Sequence, residues 1–245
     1  MMLMFVLKNI KFSTALARWR LLVSKIAMII TAILAGITSS AFASSQIQVS
    51  FTAEVDPPPC HILQSPSTLD FGNINRNQLA AKTSTQLPVK SFVGGITIQC
   101  EAKTSIGLRA VDNSGGSTLA IGNLSWSSPS VNVTPTQTDQ RFGLGMTSGG
   151  KAIGVWNVLF HSAQVDGVPA QIGIANNGML DLNDTVPTMR NNGKASSWVQ
   201  NSAFALGELF TVQADAAVAL APLEDLPSGS KISFAGSATL EIVYL

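Results

Sequence analysis

The stretch Gln46-Ile47-Gln48-Val49-Ser50-Phe51-Thr52-Ala53-Glu54-Val55 decides the fold class. Ile47, Val49, Phe51, Ala53 and Val55 occupy every second position, so an extended chain places all five on one face and the polar residues on the other. The same alternation recurs downstream, where residues 69–72, 89–100, 106–111, 155–160, 209–220 and 232–244 read as strands. Turn signals separate them: Asp112-Asn113-Ser114-Gly115-Gly116, Asp166-Gly167, Asn177-Gly178 and Asn192-Gly193. Many short strands punctuated in this way predict an all-β sandwich. The alanine-rich stretch 214–221 is the one place where helix propensity competes with that reading.

Upstream, residues 1–43 carry Lys8, Lys11, Arg18, Arg20 and Lys25, no acidic residue, an apolar run over 26–37 and the small-x-small triplet Ala41-Phe42-Ala43. That order of features is a secretory signal peptide, with cleavage after Ala43 and Ser44 as the new N-terminus. The basic region is longer than usual, which fits a translation start further in, or retention as an anchor. A spanning helix needs about 20 apolar residues, and the run here is shorter and interrupted by Thr31 and Gly36, so cleavage is the expectation. The whole chain has 15 Lys and Arg against 14 Asp and Glu; with five of the basic residues in 1–43, the mature part holds 10 against 14, net −4. Nucleic-acid binding loses its electrostatic basis. The remaining 200 or so residues suit one β domain, and no repeat or low-complexity tract divides them.

Cys60 and Cys100 are the only cysteines. In an exported chain they are expected to form one disulfide, and closing that loop would stabilise the fold by ~4 kcal/mol on a chain-entropy basis. Zinc needs about four such ligands, and only His61 and His161 remain, so no metal or other cofactor is expected. Two histidines support no Ser/His/Asp or Cys/His arrangement, and both read as structural. Gly145-Met146-Thr147-Ser148-Gly149-Gly150-Lys151 approaches a phosphate-binding loop, but Ala152 stands where Ser or Thr would hold magnesium; a glycine-rich hairpin turn is the reading. Asp181 and Asp184, beside Asn183, read as turn formers. Asn123, Asn132 and Asn183 begin glycosylation-like triplets of a kind that chance supplies. Trp126, Trp156 and Trp198 either line a sugar site or, as is commoner in sandwiches, lie buried. The expectation is a protein without enzymatic activity.

Three segments in order, residues 49–55 leading to Cys60, then Leu69-Asp70-Phe71-Gly72-Asn73-Ile74, then Ile96-Thr97-Ile98-Gln99-Cys100, resemble the first third of chaperone–usher fimbrial (pilus) subunits. The end of the chain is similar too, with Leu240, Ile242 and Tyr244 alternating toward a penultimate tyrosine. Asp112-Asn113 and Arg141-Phe142-Gly143-Leu144-Gly145 look like the GltF-like family of periplasmic, fimbrial-subunit-like proteins. The resemblance implies an immunoglobulin-like, pilin-type sandwich lacking its last strand, whose open groove takes another protein's strand by β-augmentation. It implies as partners a periplasmic assembly chaperone, an outer-membrane usher, neighbouring fimbrial subunits and a host-surface receptor. The protein would pass through the periplasm to the fimbrium and contribute to cell adhesion.

On this resemblance residues 1–43 are the signal peptide, 44–59 an N-terminal donor-strand extension and proline linker, and 60–245 the sandwich. Ile47, Val49, Phe51, Ala53 and Val55 are the donor-strand residues, with Ala53 at the small position. Leu240, Ile242 and Tyr244 form the last strand, which faces the chaperone. Pro57-Pro58-Pro59 lack donor N–H groups and separate the extension from the fold. The competing reading makes 44–55 the first strand of its own sheet. The protein would then be a soluble, self-complemented periplasmic ligand-binding or regulatory protein on the same fold.

Overall fold

The structure is a computed structural model that describes residues 54, 56–65, 68–120, 123–229 and 231–245. The signal segment and the donor-strand residues Ile47, Val49, Phe51, Ala53 and Val55 lie outside the described residues. Alternation becomes strand pairing through β1 (Cys60–Gln64), β2 (Thr85–Gln86), β3 (Lys90–Ser91), β4 (Ile96–Thr104), β5 (Ile106–Asp112), β6 (Leu124–Ser127), β7 (Ser130–Val133) and β8 (Phe142–Gly143). The chain continues through β9 (Gly154–Val165), β10 (Val168–Pro169), β11 (Gln171–Asn176), β12 (Met179–Asp181), β13 (Ala195–Gln200), β14 (Ala203–Phe204), β15 (Gly207–Leu220) and β16 (Ala238–Tyr244).

One sheet runs β1-β4-β15-β9-β10, with β2 and β3 also on β15 and β8 on β9; the other runs β12-β11-β13-β5-β16, with β14 on β13. They pack face to face as an immunoglobulin-like sandwich. Ile96, Ile98, Phe160 and Phe210 from one layer meet Ile106, Leu108 and Trp198 from the other. Trp198 meets Phe210 edge-on at 5.3 Å between ring centroids, and its indole N–H donates to the Thr211 carbonyl at 2.8 Å. A ring pair in this orientation contributes about 1 kcal/mol beyond the area it buries.

The alanine-rich stretch is a strand, and the packing explains its composition. Ala214 and Ala216 face the core between the sheets. Ala217 and Ala219 face outward, beneath a hairpin formed by β6 and β7 that covers this sheet with Leu124, Trp126 and Val133. A strand buried on both faces gains more from close approach than it loses in helix propensity, which is a weak preference.

Cys60 and Cys100 stand opposite each other in the β1–β4 register and form a disulfide with a Cα–Cα distance of 3.9 Å. The bridge ties an edge strand to the sheet at the point where the proline run ends. Three expected strands are corrected. Residues 89–100 divide into β3 and β4, because the chain turns at Gly94 and Gly95 with φ 85° and 65°. Residues 69–72 form no strand: the Asp70 carboxylate accepts from the Gly72 N–H at 2.7 Å, and Gly72 turns at φ 70°. Strand pairing over 232–244 begins only at Ala238, because its partner β5 ends at Asp112.

At one end of the sandwich a polar knot holds the long connection between β12 and β13. Arg190, fully buried, donates to Asp184 at 2.5 Å and to the carbonyls of Val186 and Thr188, each at 2.9 Å. Asn157, also fully buried, donates to the Gln140 carbonyl at 2.6 Å and to the Met189 carbonyl at 3.2 Å. Lys194 bridges Asp181 at 3.1 Å and Asp184 at 3.3 Å. Burial alone would raise the Asp184 carboxyl, but hydrogen bonds and charge from Arg190 and Lys194 outweigh it and hold the group below its ordinary value. Lys194 is held above its ordinary value, first by its hydrogen bond to Asp181.

Two outcomes follow. Replacing both cysteines by serine is expected to cost about 2–5 kcal/mol, read as a lower urea midpoint with an equal or steeper slope, since the uncrosslinked chain unfolds further. For the knot, a carboxyl depressed on folding gives stability that is complete above the unfolded value of about 4 and is lost as pH falls through the folded one. Asp184→Asn is therefore expected to lower stability at pH 7 by about 1–3 kcal/mol, because it removes one of the two carboxylates paired with a buried guanidinium and leaves Asp139 at 3.4 Å as the other. It should also flatten the stability loss between about pH 5 and pH 2, measured by denaturant titrations at stepped pH.

Candidate functional site

The last strand carries the most consequential geometry. β16 pairs antiparallel with β5 along one edge, and among the described residues it has no strand on the other. The direction of its backbone groups is set at both ends. The Asn113 N–H donates to the Ser237 carbonyl at 3.1 Å, and the Leu245 N–H donates to the Ser105 carbonyl at 3.0 Å. In an antiparallel pair, residues that exchange hydrogen bonds alternate with residues that do not. The odd-numbered residues of β16 therefore turn their N–H and C=O groups toward β5. Ala238, Leu240, Ile242 and Tyr244 turn theirs to the open edge, and the side chains of Ala238, Leu240 and Ile242 face the interior.

Beside that edge a groove of about 1110 Å³ opens between the sheets. Its floor is the inner face of the long sheet, with Ile96, Trp156, Val158, Phe160, Ala214 and Ala216; Leu108, Ala238 and Leu240 line it from the opposite layer. One wall is the loop after β1, with Leu69, Phe71 and Ile74, and another is the segment preceding β16, with Ile232 and Phe234. Lys90 holds the first wall in place, donating to the Asp70 carbonyl at 2.5 Å with its ammonium 5.2 Å from the centre of the Phe71 ring. The combination is an apolar trough flanked by a row of unpaired backbone donors and acceptors. It can take an extended chain with alternating apolar side chains, main chain to β16 and side chains to the trough.

Of the residues singled out from the sequence, Leu240 and Ile242 pack against the core as half-buried side chains, and Tyr244 is 41% exposed. Tyr244 therefore departs from an interior position. Asp112 and Arg141-Phe142-Gly143, far apart in sequence, are brought together: the Asp112 carboxylate accepts from the Gly143 N–H at 2.9 Å. The 145–151 loop is a hairpin turn, with the Thr147 N–H bonded to the Lys151 carbonyl at 2.8 Å. Asp181 does form a turn, accepting from the Asn183 N–H at 3.1 Å, but both it and Asp184 also carry the ion pairs of the knot, which spacing alone did not disclose.

Of Trp126, Trp156 and Trp198, only Trp156 lines the groove. Trp126 and Trp198 are buried and Trp156 half-buried. The Trp126 indole donates to the Asp215 carbonyl at 3.0 Å and the Trp156 indole to the Gly143 carbonyl at 3.0 Å. Where the sequence offers no Ser/His/Asp set, the fold assembles one. Ser162 Oγ lies 3.0 Å from His161 Nδ1, and His161 Nε2 lies 3.3 Å from Asp215 Oδ2. Nε2 and Asp215 Oδ1 are buried without a hydrogen bond, so the contact is an ion pair only when the imidazole is protonated. It stands on the outer face of the long sheet, away from the groove.

A family model described as "Protein of unknown function (DUF1120)" matches residues 50–157, from the alternating segment through the disulfide to the fourth residue of β9. The chain is also similar to "Uncharacterized protein YhcF" of Escherichia coli (strain K12), 27% identical over an alignment 239 residues long that covers 84% of this chain and 93% of that protein.

The groove makes its own prediction. An apolar fluorescent dye is expected to bind the purified chain, and Leu240→Glu, which places a carboxylate at the mouth of the trough, is expected to reduce that fluorescence several-fold. Because Leu240 is half-buried, the variant should keep the circular dichroism of the parent; undiminished dye binding would place the dye elsewhere.

Proposed function

We propose that this chain is a structural subunit of a chaperone–usher type fimbria, assembled by donor-strand exchange and contributing to adhesion of the cell. The observation that carries the reading is the open trough beside the unpaired edge of β16. The segment that fits it is in the same sequence: residues 44–55, with Ile47, Val49, Phe51, Ala53 and Val55 on one face, placed ahead of a proline run that keeps it from continuing into β1. In each contact the extension of one copy enters the trough of the next. Before assembly a periplasmic chaperone lends the strand, and the outer-membrane usher is where one is exchanged for the other. Burying one Val, Ile or Phe side chain contributes about 1.5–3 kcal/mol, so several such residues in register, with backbone pairing, give a contact that is specific and slow to part.

The test is deletion of 44–55 from the mature chain. In the exchange reading the shortened chain keeps its fold when supplied with a chaperone and accepts one extension from a full-length copy. It donates none, so in excess it occupies the extensions of full-length copies and holds mixtures to pairs, while full-length chains alone grow into high-mass oligomers, resolved by size-exclusion chromatography. Ala53→Trp is expected to slow that growth without lowering monomer stability, since the added indole meets only the neighbouring copy's trough. A wild-type chain that stays monomeric at every concentration and unfolds on deletion of 44–55 would replace this reading with the self-complemented periplasmic protein.

A further inference from the structure

The segment leading into β16, residues 231–237, belongs to no strand but has the alternation of one. Ile232 and Phe234 turn inward onto a small core that includes Leu144, Ile153, Val218 and Leu220, while Lys231, Ser233 and Ala235 are exposed. Gly236 rests on Trp156: a Cβ there would lie 2.3 Å from the indole Nε1. That indole is itself fixed by its bond to the Gly143 carbonyl and by Phe142, 5.4 Å away between ring centroids. What the strap lacks is backbone pairing. Among the described residues its one main-chain hydrogen bond is the Ser237 carbonyl's with Asn113, because β5 ends at Asp112 and the chain turns away over 113–116. The strap thus has an anchored inner face and an unpaired backbone on both edges.

Resting on the strand-exchange reading above, we infer that this strap is the second half of the docking edge. The incoming residues 44–55 of another copy pair with β16 and run on along 231–237, which becomes the N-terminal continuation of the last strand. Length decides for this over docking on β16 alone. At about 3.4 Å per residue, the seven residues of β16 span about 24 Å, whereas the twelve of the extension reach about 40 Å. A strand of that length overruns β16 by more than a third, and the overrun falls on the strap. The parity also continues: Ile232, Phe234 and Gly236 belong to the even-numbered set whose backbone groups, in β16, face the open edge. A segment held by two apolar anchors and one backbone bond opens at low free energy, so it adapts to an added strand without disturbing the sheets. Gly236 is the specificity-determining position, because any side chain there would lift the strap off Trp156.

Hydrogen exchange tests this on the full mature chain at low concentration, before and after saturation with a synthetic peptide of residues 44–55. Exchange in 231–237 is expected to be fast in the free chain and to slow at least about tenfold with peptide, together with 238–244, while the hairpin of β11 and β12 is unchanged. Gly236→Val should lose the protection of the strap, keep that of β16 and weaken peptide binding about tenfold. Phe234→Ser, which removes an anchor and adds no clash, should give the same pattern if Gly236→Val folds poorly. Protection of β16 with an unaltered strap would overturn this inference and leave strand exchange standing; no protection at either segment would overturn both.

Discussion

Among the described residues the last strand of the second sheet has one neighbouring strand, β5, and an apolar groove beside its other edge. That constraint accounts for most of what is unusual in the molecule. A sandwich buries an inward side chain only if the facing layer reaches it, and here the long sheet extends past the edge at which its partner stops. Half-buried Trp156 therefore lines a trough, and Val158 and Phe160, themselves buried in the core, form the floor beneath it. Leu240 and Ile242 are left half-buried. In water an unpaired edge is tolerable because solvent satisfies its backbone groups, but an apolar trough beside it is a standing invitation to a second strand.

The trough stays open because the frame around it resists closing. β15 is buried on both faces, between the sandwich core and the β6–β7 hairpin, so it cannot bend inward without exposing one of them. β1 is held to β4 by the disulfide, and the Arg190 knot pins the connection at one end of the sandwich to β9 through Asn157 and Met189. Close-packed layers do not deform continuously to fill a gap. The parts free to move are the wall after β1 and the strap before β16, each attached by a few side chains, and it is there that an incoming strand meets least resistance.

Much of the fold was legible before any coordinates. Period-two alternation located β5, β9, β15 and most of β16, and glycine-containing turn pairs placed the 166–167 and 177–178 reversals, because these signals act over a few residues. The strands of the second sheet, β11 to β13, escaped that reading. Ala195-Ser196-Ser197-Trp198 has little apolar contrast, and its small residues suit a strand only because neighbours pack over them. The ion-pairing roles of Asp181 and Asp184 were invisible for the same reason: carboxylates near an Asn look alike whether they make a turn or also neutralise a buried guanidinium.

By itself the sequence determined the alternating faces, the turns and the one possible thiol partner for Cys60, since each follows from local stereochemistry or from counting residues. It also determined that Leu240 and Ile242 share a face. Only the tertiary structure decided that β5 ends at Asp112 while the chain after β15 carries on, so that 231–237 lies over the long sheet with no strand beside it among the described residues. It likewise decided which backbone groups of β16 point away from β5, and that Ser162, His161 and Asp215 meet on the outer face. Pairing partners and their endpoints are set by contacts between residues far apart in the chain, and no local pattern carries that information.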